Sequence, residues 1–352
     1  MADPGSREEC SVNILYLTPS GKPPVPGTDG LCTEIGYLYR SFGGEYKSLS
    51  PSRTPPRLLP VRLYGMRHAA ALKKFSRDNG IIHVFFPYLV DFYLLRNLPG
   101  PVVYTITSGV ERDILPRSAP RYTLVVSSDR EAGLLHQQGY RDVRIIRPGI
   151  DLTRIAPAPP PEGGREFVIL AGSAPWVPDQ FRTKGFDLLL EILQRIPKVK
   201  LVCLWRGALY REWEEKVRDA GLSDRVEIIR ERTDVSRVLA RSHCAAVLAS
   251  TPDLVKSYPN SLMEALAAGR PVLTSRAIPM SGYVEETGCG RVVDTLTAEE
   301  LVPALEAIME HYETYRSAAE KSGRRDLDAT RMVREYGDLY GELLQKDTTP
   351  RG

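Results

Sequence analysis

The chain has 352 residues, 42% hydrophobic and 26% charged, which excludes a disordered or fibrous protein and leaves room for two domains. No apolar run approaches the roughly 20 residues of a membrane helix, the start MADPGSREEC lacks the apolar region of a signal peptide, and five scattered cysteines fit a reduced, cytoplasmic location. The formal net charge of +3 hides an asymmetry: residues 1–155 hold 20 Lys and Arg against 14 Asp and Glu, and residues 156–352 hold 27 against 30.

After a polar tail over 1–10, the first strand is expected at VNILYL (12–17). The loop behind it contains Gly27 and Gly30, which flank the entry to a helix and let backbone approach a ligand closely. It lacks the Gly-x-Gly-x-x-Gly spacing of a dinucleotide fold, so a nicotinamide oxidoreductase has little support. Between residues 40 and 80 stand nine basic and two acidic residues. Within that segment RLYGMRHAAALKKFSRDNG reads as a basic amphipathic helix, suited to an anionic membrane surface or a phosphorylated acceptor, or else a solvated face. A nucleic-acid partner is not expected, because the patch is small and no recognition module accompanies it. Strands are then expected at IIHVFF (81–86), VVYTI (102–106), LVVSS (124–128) and VRII (143–146).

RIAPAPPPEGGRE (154–166) breaks this series with four prolines and two glycines and reads as a linker. Beyond it the strands resume at FVILA (167–171), VKLVCL (199–204), VEII (226–229), AAVLAS (245–250) and PVLTS (271–275). Continuous apolar strands alternating with amphipathic helices imply parallel sheets buried on both faces. The expected fold class is therefore α/β, two doubly wound Rossmann-like domains facing a cleft. The expected division is an N-terminal domain over 11–155, a linker over 156–166, a C-terminal domain over 167–328, and over 329–352 a closing helix able to pack on either domain, with its tail.

Ligands of open parallel sheets sit beyond the carboxyl ends of strands, where loops feed helix N-termini. Two such loops stand out. In TPDLVKSYPNSLMEALAAGRP, Pro259 and Asn260 open a helix that Gly269 closes, and the free amides of its first turn, around Ser261, suit a diphosphate. Glu264, one turn in, is placed to accept from vicinal ribose hydroxyls, although Ser261-x-x-Glu264 also reads as a capping box. In GSAPWVPDQFRTKGFDLLLEIL, Arg182 and Lys184 stand at a helix start, where cations oppose the helix dipole and an anionic ligand would explain them. A pair of solvated charges is the alternative. No His, Cys, Asp and Glu cluster suggests a metal, no Gly-x-Ser-x-Gly elbow suggests a hydrolase, and His83 reads as a core residue.

These stretches resemble retaining, nucleotide-sugar-dependent glycosyltransferases of family 4, which have the GT-B fold. PNSLMEALAAGRPVLTS is similar to that family's signature, RTKGFDLLLEIL to its Lys-Gly phosphate loop, and VVSSDREAGLLHQQGYRDVRIIRPGIDLTRIAP and REYGDLYGELL to the ends of its two domains. The resemblance implies a metal-independent hexosyltransferase without cofactor, taking a UDP- or GDP-type sugar donor. It makes Glu264 the ribose ligand and gives the diphosphate to Lys184, Arg182 and the amides at Pro259, Asn260 and Ser261. Glu264, Lys184 and Lys256 become the candidate catalytic residues, with Gly27 near the donor.

The sequence departs from the family at two sugar-side positions. Lys256 stands eight residues before Glu264, where the family has an acidic residue, and Thr107 stands where a histidine is common. A donor-only ammonium at 256 would suit a carboxylate on the donor or acceptor, hence an acidic sugar, or would point to solvent. The expected acceptor is a carbohydrate, lipid-linked or phosphorylated molecule, with peripheral membrane contact through residues 40–80. An inactive nucleotide-binding scaffold and a sugar-nucleotide epimerase remain the other readings.

Overall fold

The computed structural model describes residues 12–19, 30–50, 59–110, 122–159, 161, 166–205 and 208–347. Two six-stranded parallel sheets organise it. The first contains β1 (Ile14–Thr18), β2 (Glu45–Ser48), β3 (Ile81–Phe86), β4 (Val102–Ile106), β5 (Thr123–Val126) and β6 (Val143–Ile145), in the order 2-1-3-4-5-6. The second contains β7 (Phe167–Ala171), β8 (Val199–Leu204), β9 (Val226–Ile229), β10 (Cys244–Val247), β11 (Val272–Ser275) and β12 (Gly290–Val293), in the order 12-11-10-7-8-9. Helices cover both faces of each: α1 (Gly30–Phe42), α2 (Ala69–Arg77) and α3 (Asp129–Gln137) in the first half. In the second half follow α4 (Gln180–Thr183), α5 (Phe186–Arg195), α6 (Tyr210–Asp219), α7 (Val235–Ala240), α8 (Asn260–Ala267), α9 (Ser281–Thr287), α10 (Ala298–Glu310), α11 (Tyr312–Asp326) and α12 (Ala329–Asp347). The expected α/β class and its doubly wound sheets are thus present.

The central strands are where the apolar runs placed them, because a strand covered on both faces reads as a near-continuous apolar run; β1, β3 and β4 are buried throughout. Two strands escaped the pattern. Both β2, with sequence EYKS, and β12, with sequence GRVV, are sheet edges and only partly buried. The basic segment also differs from expectation. Gly65 adopts φ +73°, a left-handed conformation with Leu49 and Leu94 where a Cβ would stand, so the continuous helix breaks into two short turns and α2 begins only at Ala69.

α12 returns to the first sheet. Met332, Tyr336, Leu339 and Tyr340 pack with Ile14, Tyr16, Ile81 and Phe85 in one core cluster. A buried polar chain fixes the register: His83 Nδ1 lies 2.7 Å from the Tyr340 hydroxyl, His83 Nε2 lies 2.8 Å from Thr105 Oγ1, and that oxygen lies 2.9 Å from the Tyr336 hydroxyl. His83 is therefore the core residue its sequence context implied, and burial holds its ring well below the ordinary histidine pKa. Where the chain passes back, the Ile150 amide donates to Leu327 at 2.8 Å and the Ala329 amide to Ile150 at 2.9 Å.

Candidate active site

In the second sheet, β7, β8 and β9 run outward in one direction and β10, β11 and β12 in the other. The loops after β7 and β10 therefore diverge, leaving a crevice at the carboxyl edge, which is the general ligand position in open α/β sheets. Two loops line it: Gly172 and Ser173 after β7, and residues 248–259 leading from β10 to α8.

The N-terminus of α8 faces this crevice without a cap. Its N-cap residue is Pro259, whose side chain accepts no hydrogen bond, so the cap itself leaves the first-turn amides at Asn260 and Ser261 unoccupied. Ser261 is the second residue of the helix rather than its cap, and Ser261-x-x-Glu264 consequently does not form a capping box. Glu264 lies farther into the same helix and is half-buried. Backbone packs tightly against this terminus: a Cβ at Gly172 would collide with Oγ and Cβ of Ser261. The next residue, Ser173, holds φ +62°, an uncommon conformation outside glycine of the kind found at ligand sites.

Lys184 joins the two loops. It lies between α4 and α5, is 5% exposed, and its Nζ donates to Ser173 Oγ at 3.3 Å. It forms no ion pair among the described residues, and burial alone lowers its ammonium from 10.5 to about 8. Thr183 C=O receives the Ser250 amide at 2.8 Å, which ties the lysine's loop to the loop leading from β10 to α8. An uncompensated buried cation beside uncapped helix amides is an anion-binding arrangement.

Arg182 does not join it. Its side chain is 75% exposed and pairs with Asp179 at 2.9 Å. It also belongs to the last turn of α4, where a cation suits the helix dipole, so the apparent dipole conflict disappears once α4 and α5 separate at Gly185. Gly27 lies outside the described residues.

The two sugar-side positions meet the first sheet. Thr107 is buried just beyond β4, and its carbonyl accepts the Ser257 amide at 2.9 Å. Lys256 neither points to solvent nor waits for a ligand carboxylate. It forms an ion pair with Glu34 of α1, and its Nζ donates to Asn260 Oδ1 at 3.2 Å. The acidic-sugar expectation thereby loses its basis. Nearby, Ser127 Oγ and Ser128 Oγ each donate at 2.8 Å to the fully buried Glu131, whose carboxyl burial pushes upward. Glu34 carries no local sequence signal, being one acidic residue on α1, whereas Glu131 has one: Ser128-x-x-Glu131 has capping-box spacing, and the Ser128 hydroxyl accepts the Glu131 amide. Gly172 had one in its position directly after β7.

Farther along the same edge, a groove of about 450 Å³ is lined by Trp205, Leu209, Tyr210, Arg211 and Arg230. The Arg230 guanidinium lies 3.5 Å above the Tyr210 ring centre. Leu209 is held at φ +62° there, a strained conformation for a bulky residue. Among the described residues, no group of three or more His, Cys, Asp or Glu is placed to hold a metal ion.

Against this geometry, comparisons with known proteins are informative. Among curated proteins, no sequence matches. The structure is similar to HepE of Anabaena in complex with UDP, with a TM-score of 0.70 at 18% identity over 94% of this chain and 100% of that one. It also resembles a sucrose-phosphate synthase from Thermosynechococcus elongatus, with a TM-score of 0.69 at 16% identity over 95% and 100% of the two chains. A glycosyltransferase of Rickettsia africae gives a TM-score of 0.66 at 13% identity over 95% and 99%. The family model for glycosyl transferases group 1 matches residues 176–325, a span that begins beside the Lys184 loop and includes α8. Residues 176–325 thus match a glycosyltransferase group 1 domain, set within a two-domain α/β architecture of the GT-B kind.

Proposed function

We propose that the protein transfers a sugar from a nucleoside diphosphate donor to an acceptor, with retention of anomeric configuration and without a metal. One observation carries the reading: a lysine 5% exposed, with no ion pair among the described residues, lies beside the uncapped N-terminus of α8 at the switch point of the second sheet. In this scheme Lys184 and the amides at Asn260 and Ser261 hold the diphosphate, and Glu264 accepts from the ribose hydroxyls. Negative charge grows on the leaving phosphate oxygen as the glycosidic bond breaks. Fixed amides and an ammonium stabilise that charge without reorganising.

The neighbours support the donor class. HepE of Anabaena has been crystallised with UDP and with UDP-glucose. The groove at Tyr210 and Arg230 lies on the same sheet edge and suits the base. Retention rests on the resemblance of residues 259–275 to family 4. The acceptor belongs to the first half of the chain, where Arg62, Met66, Arg67, Lys73, Lys74 and Arg77 are all exposed. Such a basic face, with Met66 44% exposed, supports peripheral contact with an anionic membrane and a lipid-linked or phosphorylated acceptor at the cytoplasmic side.

The test is thermal unfolding with UDP, GDP, ADP, CDP and dTDP, followed by product analysis with the matching sugar donors. A ligand at about a hundred times its dissociation constant stabilises by ~2.7 kcal/mol. Stabilisation by one nucleotide in wild type and not in Glu264→Ala, with anomer-retaining product, supports the proposal. Binding without turnover favours a scaffold, for which the self-paired Lys256 is the structural argument. No binding at all sinks the reading.

A further inference from the structure

Glu34 and Lys256 come from opposite halves of the chain, and their placement is unusual for an ordinary surface pair. The side chains are 5% and 15% exposed. They line a cavity of about 10 Å³ with Thr107, Ser127, Ser257 and Tyr336, room for no more than about one water. A charge pair held this far from solvent is poorly screened, so each member acts on neighbouring charges more strongly than at the surface.

The neighbour that matters is Asn260. The same Lys256 ammonium that pairs with Glu34 donates to Asn260 Oδ1, and Asn260 is the first residue of α8. A cation bonded to the first residue of a helix lies beside the positive end of its dipole, next to the amides assigned to the diphosphate. Left alone, Lys256 would add a second ammonium to the anion site already served by Lys184. Glu34 cancels that charge, and it does so from α1, which belongs to the other sheet.

We infer that Glu34 is a positioning and tuning residue of the donor site, acting through Lys256 and Asn260 to set how strongly the α8 terminus holds a nucleoside diphosphate. The inference rests on the proposed donor site and adds a direction to it. The first half of the chain, which faces the acceptor, moderates retention of the leaving group held by the second. Over-tight holding of a nucleoside diphosphate slows its release, a step that often limits turnover.

The experiment measures dissociation constants by calorimetry for whichever of UDP and GDP binds wild type more tightly. Three full-length variants are compared, with melting temperatures and steady-state kinetics recorded alongside. Glu34→Gln leaves the ammonium uncompensated, so affinity rises by about fivefold or more, with kcat and KM both falling. Lys256→Gln removes the ammonium and keeps the Glu34 carboxylate, which shifts the local charge in the negative sense, so affinity falls by a similar factor. The double variant removes both charges and returns the dissociation constant toward wild type. A pair with a purely structural role weakens both singles in the same direction, and that outcome overturns the inference while leaving the donor site standing. Should Glu34→Gln not fold, Glu34→Asp withdraws the carboxylate and must shift affinity upward in the same sense; an unchanged or lower affinity overturns the inference. A wild type that binds neither nucleotide overturns the donor-site reading and this inference with it.

Discussion

Replacing Lys184 with methionine separates the cost of the anion site from its use. In the free protein the side chain is 5% exposed and its ammonium is lowered from 10.5 to about 8 by burial. One pKa unit corresponds to ~1.36 kcal/mol, so the charged lysine destabilises the empty fold by about 3 kcal/mol near neutral pH. The sign follows from the depressed value: the penalty is fully present below about pH 8 and is relieved as pH rises toward the unfolded lysine's value. Methionine has similar length and no charge, so Lys184→Met is expected to raise the stability of the ligand-free protein at pH 7 by an amount of that order. The same change removes the charge-assisted contact proposed to the diphosphate, worth ~1.5–3 kcal/mol. A UDP concentration that stabilises wild type by ~2.7 kcal/mol then stabilises the variant by less than about 1.4 kcal/mol. Urea unfolding at pH 7, with and without UDP, reads both numbers in one series. A variant less stable than wild type when free, or one that keeps the full ligand-induced stabilisation, would refute the assignment of Lys184 as a cation kept for an anionic ligand.

Other substitutions probe the same frame. Glu264→Ala is expected to lose the preference for ribose: wild type should bind UDP about tenfold more tightly than 2′-deoxy-UDP, and the variant should distinguish them by less than about twofold, as measured by calorimetry. Gly172→Ala should abolish nucleotide binding with little change in circular dichroism, because its Cβ occupies the place of the Ser261 side chain and pushes the loop off the α8 terminus. Arg182→Ala should leave stability within about 0.5 kcal/mol of wild type and the nucleotide dissociation constant unchanged, since its partner is the exposed Asp179. His83 should make the protein acid-sensitive. Its depressed pKa means stability is complete above the ordinary histidine value and declines as pH falls, by up to about 1.4 kcal/mol per pH unit, a slope that His83→Gln should remove in urea titrations between pH 5 and 7.

The parts of the molecule that the sequence disclosed are those governed by local chemistry. β3, β4 and β7 coincide with near-continuous apolar runs because both of their faces are covered. β2 and β12 did not register, since an edge strand such as EYKS meets solvent and needs neither burial nor alternation. Spacing also misled where one residue's backbone decided the outcome. Gly65 interrupted the expected basic helix, and Gly185 split the Arg182 and Lys184 segment into two helices, sending one cation to the surface and the other into the crevice. Adjacent charges in a string of letters thus acquired opposite environments.

Lys256 shows the limit most sharply. Its distance from Glu264 along the chain marked it as an anomaly, and the side chain's donor-only chemistry correctly demanded an acceptor. Which acceptor was beyond the reach of local pattern, because Glu34 is 222 residues away on an unremarkable helix. Only the packing of the two sheets brings that carboxylate to the head of α8. A position where one charge sign seems out of place can therefore be balanced from another domain, and the balance then couples the two. The substitution of a carboxylate by a lysine need not mean a lost site, since the compensating carboxylate stands next to it. It means that the charge at the head of α8 depends on the first half of the chain being docked against the second. Separating the halves would expose Lys256 and Glu34 to water, where their attraction shrinks to about 1 kcal/mol or less, and the electrostatic balance at Asn260 would lapse with it.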